Sequence, residues 1–340
     1  MKFRKPLALC LLLLLLTGCA RGPLSGPGRY ETSFLDLFDT VTSVVGYADS
    51  EAAFQEEAQR IHAELETYHR LFDIYNEYEG GTNLKTVNDR AGFETVPVDQ
   101  KLMDLLLFCR DMEQATGGTV NPAMGSVLSL WHEARNAGIE NPARAALPEE
   151  AALREAAAHT DFSNVILDET ACTVRFADPA LKLDVGAVAK GYAVEQVCKN
   201  APAGMLVSVG GNVCATGAKP DGSSWVVGLQ DPSGSGYLHT VGVEDLSVVT
   251  SGDYQRYYTV NGTNYHHIID PETLMPGTKW RAVSVLCADS GVGDMLSTAL
   301  FLLDREAGQE LLNQFAAEAM WLDGDGNEQF SPGFSTLLRD

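Results

Sequence analysis

The sequence predicts an α+β domain in which antiparallel sheets pack against segregated helices, and three observations lead there. From residue 163 onward, runs rich in β-branched and aromatic residues dominate, most of them joined by turn-length links that suit antiparallel pairing. Helical periodicities cluster before that point, and only two further helices follow it. The chain has 340 residues, 45% hydrophobic and 21% charged, a globular composition with enough length for one sizeable core. A split near residue 160 is the less favoured alternative.

The N-terminal residues stand outside that fold. "MKFRKPLALCLLLLLLTGCA" opens with Lys2, Arg4 and Lys5 and runs into a short apolar stretch, the form of a secretory signal. The stretch is too short for a comfortable transmembrane helix. It ends in Leu16-Thr17-Gly18-Cys19, which resembles a bacterial lipobox. That resemblance implies removal of residues 1–18, lipidation of the Cys19 thiol, and an exported chain anchored to the bacterial cell membrane, facing outside the cytoplasm. An uncleaved anchor, or export with a chance cysteine, is the weaker reading, because the small residues and the cysteine fall where the peptidase needs them. Residues 19–32 then read as lipidated cysteine and tether, rich in Gly and Pro, and 33–340 as the folded domain.

Within that domain, 38–48 ("FDTVTSVVGYA") reads as a strand and 51–72 as an amphipathic helix. "NEYEGGTNLKTVNDRAG" is turn-rich and expected to be loop. "VDQKLMDLLLFCRDMEQATGG" reads as a helix with a glycine stop, "PAMGSVLSLWHEAR" as a shorter helix and 148–158 as an Ala/Glu helix. Strands are expected at 163–168, 172–176, 180–184, 205–209, 213–217, 224–230, 238–243, 246–250, 254–260, 264–269 and 280–287, with helices at 187–200 and 294–303.

The formal net charge is −22, and loss of the basic leader makes it more negative. So acidic a surface repels nucleic acid, and no nucleic-acid partner is expected. An anionic small substrate needs local compensation by a metal ion, a Lys or an Arg. Beyond Cys19 stand Cys109, Cys172, Cys198, Cys214 and Cys287, an odd number without a C-x-x-C pair and with mostly apolar neighbours. They read as buried free thiols rather than a disulfide framework or a zinc site.

Several short segments carry polar residues from which chemistry could be built, and each also has a plainer reading. In "LKLDVGAVAKGYAVEQV" a strand ends at Asp184, small residues follow, and Lys190-Gly191-Tyr192 opens a helix. Such a turn lets backbone N–H groups approach an anion, with Lys190 adding its charge. The spacing of a Walker loop is absent, and a solvent-facing Lys on a packed helix is the slightly better reading of this segment alone. Gly210-Gly211-Asn212 reads first as a tight hairpin turn. In Thr250-Ser251-Gly252-Asp253 the glycine marks a bulge or a close ligand approach. Asp294 and Thr298, four apart, share a helix face, and a carboxylate with a hydroxyl suits a hard cation such as Mg²⁺. The plainer reading there is an N-terminal Asp favoured by the helix dipole. His266 and His267, in "TVNGTNYHHIIDPETLMPG", point to opposite faces of a strand, one outward and one inward. The inward one is either a hydrogen-bonded core residue or a general base or electrophilic partner.

Taken in order, these segments resemble the ApbE family of FAD:protein FMN transferases. The match runs through Asp184-x-x-Ala187-x-x-Lys190-Gly191-Tyr192, Gly210-Gly211-Asn212 and Thr250-Ser251-Gly252-Asp253-Tyr254, then His267-Ile268-Ile269-Asp270-Pro271 and Ala288-x₅-Asp294-x-x-Ser297-Thr298. "FDTVTSVVGY", "NEYEGGTNLKTVN" and "ATGGTVNPAMGSVLSLW" resemble the family's N-terminal half, so the likeness covers nearly the whole mature chain. Many members are lipoproteins, which agrees with Cys19.

The resemblance implies a single T-fold-related domain. It implies Mg²⁺-dependent transfer of FMN from FAD to a Thr or Ser hydroxyl of a target flavoprotein, with release of AMP and with Mn²⁺ as an alternative ion. Targets of such enzymes include flavin subunits of membrane electron-transfer complexes. By the same carry-over, Asp294, Thr298 and the Ala187 carbonyl hold the metal, with Ser297 contributing. Asp184, Lys190, Ile268, Thr119, Val120 and Asn121 contact FAD, and Tyr75 meets the flavin side. His267 becomes the candidate base for the acceptor hydroxyl, its ordinary pKa of about 6.5 suiting the task. Asp270 orients it or contacts the nucleotide, and His266 is the outward member of the pair. Two positions depart from the family: Asn121 stands where Asp is frequent, and Thr273-Leu274-Met275-Pro276 lacks the glycine usual after the Thr. An FAD pyrophosphatase, giving FMN and AMP, and a flavin-binding lipoprotein without chemistry are the alternatives. Asp221-Gly222-Ser223-Ser224 is a loose match to a flavinylation acceptor, with a hairpin turn as the stronger reading.

Overall fold

Eight antiparallel strands form the sheet on which the molecule is built, in a computed structural model that describes residues 26–234 and 236–339. The leader and Cys19 lie outside the described residues. The chain enters through β1 (Gly28–Leu37) and β2 (Thr40–Ala48). Ser50 then caps α1 (Glu51–Phe72) by accepting the Ala53 N–H. This helix buries Phe54, Ala58, Ile61, Leu65, Tyr68 and Phe72, the stripe expected of one helical face. Asn83 caps α2 (Leu84–Arg90), and β3 (Val96–Pro97) leads into α3 (Gln100–Ala115), α4 (Gly125–Glu140) and α5 (Glu150–Ala157). A small side sheet is completed by β4 (Val165–Asp168) and β5 (Thr173–Phe176).

After α6 (Ala189–Lys199) the chain is mostly strand: β6 (Met205–Val209), β7 (Asn212–Ala215), the hairpin β8 (Trp225–Gln230) and β9 (Tyr237–Val243), and β10 (Ser247–Gly252). The hairpin β11 (Tyr257–Val260) and β12 (Thr263–His266) follows, then β13 (Ala282–Cys287). The chain closes with α7 (Ser290–Leu302), α8 (Arg305–Leu312), β14 (Glu318–Leu322) and β15 (Glu328–Phe330).

The main sheet runs β1-β2-β6-β7-β10-β13-β14-β15. Side chains alternate across it. On β13, Val285 joins the large core under the helices, while Leu286 joins a second core beneath the β8–β9 hairpin. A third cluster, with Met124, Val127, Trp131, Tyr258 and Ile269, joins α4 to the β11–β12 hairpin. Among the described residues no helix is long and apolar enough to cross a membrane.

Five sequence expectations need correction. Residues 28–32, expected as tether, are strand, because β1 pairs with β2 from Gly28 onward. Residues 84–90, expected as loop, are helical, because Asn83 accepts the Thr86 N–H and starts a turn. Residues 180–184 are not a strand: Lys182 makes a lone bridge to Met124, and the Leu183 N–H and C=O both bond the side chain of Asn88. The strand expected at 264–269 stops at His266, whose Nδ1 accepts the Ile268 N–H and bends the chain. The helix expected from 294 begins at Ser290, because Asp289 accepts the N–H groups of Gly291 and Val292.

The contact that places the site is α6 against α7. A Cβ at Gly191 would lie 2.2 Å from the Ser290 carbonyl oxygen and 2.5 Å from Asp294 Cβ, so only glycine allows this approach. One turn further along α6, Glu195 Oε2 accepts the Ser290 N–H at 2.9 Å and Lys199 reaches Glu195 Oε1 at 3.3 Å. Gly191→Ala should therefore separate the helices and cost about 1–3 kcal/mol. Urea unfolding measures it, and an unchanged midpoint would show that the two helices do not depend on this contact.

Candidate active site

The site forms where α6 and α7 meet the unit built from α4 and the β11–β12 hairpin. Asp294 lies in the second turn of α7 and is 4% exposed, so the dipole explanation for an N-terminal Asp does not apply. Its Oδ2 accepts the Gly191 N–H at 2.8 Å and lies 3.5 Å from Lys190 Nζ. Gly191 is in the first turn of α6, where an N–H has no acceptor within the helix, so Asp294 supplies the cap that Val188 cannot. Ser297 is fully buried, and its hydroxyl donates to the Asp294 carbonyl at 3.0 Å and meets Ser251 Oγ at 2.8 Å. It ties α7 to β10 and has no need of a ligand. Thr298 is half-buried, and its hydroxyl has no partner among the described residues.

The site thus offers a buried carboxylate, a free hydroxyl and a carbonyl, that of Ala187 just ahead of α6, with no donor among the described residues. These are hard oxygen donors, and no cluster of three His, Cys, Asp or Glu residues accompanies them among the described residues. Such a set fits Mg²⁺, which keeps waters and substrate oxygens in its remaining positions. Ser297 is committed to protein partners and acts as a support.

A second group gathers around Asp184. Its N–H donates to the Pro122 carbonyl, and its Oδ1 accepts the Gly186 N–H at 2.8 Å. His132 Nε2 stands 3.9 Å from Asp184 Oδ2, and the Tyr75 hydroxyl meets His132 Nδ1 at 2.8 Å. Burial, reinforced by Asp184, holds the Tyr75 hydroxyl well above its ordinary range. Burial also pushes His132 below its ordinary value, with Asp184 pulling the other way. Tyr75 and Asp184 are therefore brought together, and by a residue that the sequence reading missed. The signal was present: Leu128, Trp131, His132 and Arg135 have the i, i+3, i+4, i+7 spacing of one helix face, and all four line the same cavity.

Across that cavity stand Tyr258, Tyr265, His266 and His267. The expected outward His266 is in fact buried, at 8% exposure: its Nε2–H donates to the Gly277 carbonyl at 2.7 Å and its ring meets Phe301 edge-on. The alternation argument fails because the strand ends at His266. His267 is half-buried, but its Nδ1 is sealed from solvent and has no hydrogen-bond partner among the described residues. Burial, with Arg256, Lys190 and His266 adding to it, pushes its pKa down to about 3, well below the 6.5 expected. It is a neutral imidazole whose Nδ1 meets no protein partner among the described residues. Asp270 Oδ1 accepts the Glu272 and Thr273 N–H groups and builds the turn that follows, and no hydrogen bond joins Asp270 to His267.

The chain matches the family model described as the ApbE family over residues 38–321. It belongs to the ApbE family. The FAD:protein FMN transferase of Treponema pallidum is 34% identical over 307 residues, covering 83% of this chain and 83% of that one. An FAD:protein FMN transferase of Klebsiella pneumoniae is 30% identical over 259 residues, covering 72% and 78%. The crystal structure of the ApbE protein from Thermotoga maritima shares the fold with a TM-score of 0.81 at 27% identity, covering 92% of this chain and all of that one.

Against the ApbE pattern, the two departures acquire structural reasons. The Asn121 amide donates to the Thr160 carbonyl and accepts the Ala123 N–H, both at 2.8 Å, so each polar end is partly engaged within the protein. Val120 is buried, and its N–H and C=O both engage the Thr116 hydroxyl. Of these three expected FAD contacts, only Thr119 keeps a free side-chain group. In the other departure, Leu274 adopts φ +60, the left-handed conformation that a glycine there would take at no steric cost. Ile268 is buried in the core beside His267, which limits what its side chain offers a ligand. The loose acceptor match at 221–224 is a turn in which Asp221 accepts from the Ser223 N–H and hydroxyl.

The histidine shifts set a pH dependence. His267 keeps its proton in the unfolded chain up to about pH 6.5 but loses it in the fold above about 3. Between those values the unfolded state binds more protons, so stability is fully present above 6.5 and declines as pH falls. His132 and His266 act in the same direction. Unfolding free energy measured from pH 7 to pH 5 should fall, and His267→Gln should remove up to about 1.4 kcal/mol per pH unit of that slope. An identical slope in the variant would show that His267 is not held neutral.

Proposed function

We propose that this chain is an Mg²⁺-dependent FAD:protein FMN transferase, exported and lipid-anchored through Cys19, that moves FMN from FAD to a Thr or Ser hydroxyl of a target flavoprotein and releases AMP. The observation that carries the reading is the oxygen set of Asp294, Thr298 and Ala187 with Lys190 at its edge, in a chain whose relatives are FAD:protein FMN transferases. Bound by that set, the ion supplies charge neutralisation for the pyrophosphate of FAD.

The remaining work falls to the chain's own groups. Lys190, Arg256 and Arg135 place positive charge around the cavity of an otherwise acidic protein, which is what a dinucleotide anion requires. His267, a neutral imidazole on the half-buried wall of the cavity, takes the proton of the acceptor hydroxyl as its oxygen bonds to the FMN phosphorus. The bond to the AMP phosphate breaks, and AMP leaves with the electron pair. An arriving pyrophosphate raises the basicity of His267 from its low resting value, since a nearby anion favours the charged imidazolium. The target is a flavoprotein such as the flavin subunit of a membrane electron-transfer complex, within reach of an anchored enzyme.

The mature chain incubated with FAD, Mg²⁺ and an acceptor domain carrying a Ser-Gly-Ala-Thr segment should add one FMN mass unit to the acceptor. EDTA or Asp294→Asn should abolish the shift, and His267→Ala should slow it by about 10²-fold or more. An unmodified acceptor with free FMN and AMP would replace the transferase with a pyrophosphatase.

A further inference from the structure

His132 has no part in the transfer just described, yet it is a half-buried imidazole with both ring nitrogens directed at partners. Its Nε2 faces the Asp184 carboxylate, which favours the ring proton on that nitrogen, and Nδ1 then accepts the Tyr75 O–H across 2.8 Å. The Nε2–H faces Asp184 Oδ2 at 3.9 Å, too far for a hydrogen bond. Asp184 is itself 9% exposed, its Oδ1 is committed to the Gly186 N–H, and its Oδ2 has no closer donor. A donor and an acceptor are thus held just beyond each other's reach at the edge of the cavity that His132 shares with His267.

One chemical group completes such a pair. A hydroxyl accepts one hydrogen bond and donates another. An oxygen about 2.8 Å from each atom would see them at roughly 90°, a workable angle. A bare phosphate oxygen has no proton for Asp184, and an amine has no free acceptor for the Nε2–H. We infer that His132 and Asp184 together hold one sugar hydroxyl of the flavin dinucleotide, with Tyr75 fixing the ring through Nδ1. The inference rests on the FAD reading above and adds to it a specificity-determining residue on α4. The Tyr75 ring, 55% exposed while its hydroxyl is tied to His132, then stands beside that sugar as a wall of the site.

FAD carries such hydroxyls in two places, the ribityl chain and the adenosine ribose. Equilibrium titrations of the mature chain with FAD, FMN and ADP, in the presence of Mg²⁺, separate them, because FMN has only the first and ADP only the second. His132→Phe keeps the ring volume and removes both nitrogens. His132→Asn keeps an acceptor for Tyr75 and has no donor that reaches Asp184. Both should weaken FAD roughly tenfold, the loss expected for a buried hydrogen-bonded pair left open. His132→Gln carries an amide N–H to the Nε2 position and should stay within about twofold of the parent. The half-ligand that weakens alongside FAD identifies the sugar. Parent-like FAD binding by His132→Phe, or equal losses in all three variants, would overturn the inference in favour of a purely structural histidine. A parent chain that binds none of the three ligands would overturn the FAD reading, and this inference with it.

Discussion

The hydrogen bond from the Gly191 N–H to Asp294 Oδ2 is the interaction on which the site depends. It requires α6 and α7 to approach more closely than any side chain at 191 permits. It orients a carboxylate that burial would otherwise leave exposed to a large desolvation cost. It also caps a first-turn amide of α6 that has no acceptor within its own helix. The clamp between Glu195 and the Ser290 N–H, one turn away, holds the same crossing. The placement of Asp294 beside Lys190 is therefore a property of how two helices cross.

Around that crossing the electrostatics run against the rest of the molecule. The chain carries a net charge of −22, yet Lys190, Arg256 and Arg135 converge on one cavity whose histidines are held neutral by burial. Neutral imidazoles offer acceptor nitrogens that protonated ones lack. They keep the resting cavity free of additional positive charge, so the incoming anion sets their protonation. A surface this acidic meanwhile discourages loose binding of polyanions elsewhere.

Much of this was legible in the sequence, and the reasons differ element by element. The stripe of α1 and the β-branched runs of β2, β6 and β10 declared themselves, because periodicity and burial agree there. The ordered motifs placed Lys190, Asp294 and Thr298 together before any contact was known. What stayed hidden was set by tertiary bonds. The backbone of Leu183 pairs with a side chain instead of a strand, so its apolar pattern misled. His266 and His267 look equivalent in a strand, but a hydrogen bond from the Ile268 N–H ends that strand between them. Asn121 and Asp270 resemble ligand residues, and both also hold backbone in place, which their sequence motifs do not reveal. His132 bore a usable clue, a polar residue on the buried face of α4, which only gains meaning once Tyr75 and Asp184 are seen beside it.

The left-handed Leu274 carries one more implication. Nothing in its own side chain favours that conformation. Its carbonyl is instead held by the Trp131 indole N–H, reaching over from α4 at 3.0 Å. The Asp270-Pro271 turn has local support, but Leu274 itself has little bias in the unfolded ensemble toward its native bend. That bend is held by a helix 143 residues away in sequence, a contact of the kind that forms late because its loop closure must come first. A chain with its main sheet already assembled would still lack the finished bend that follows His267.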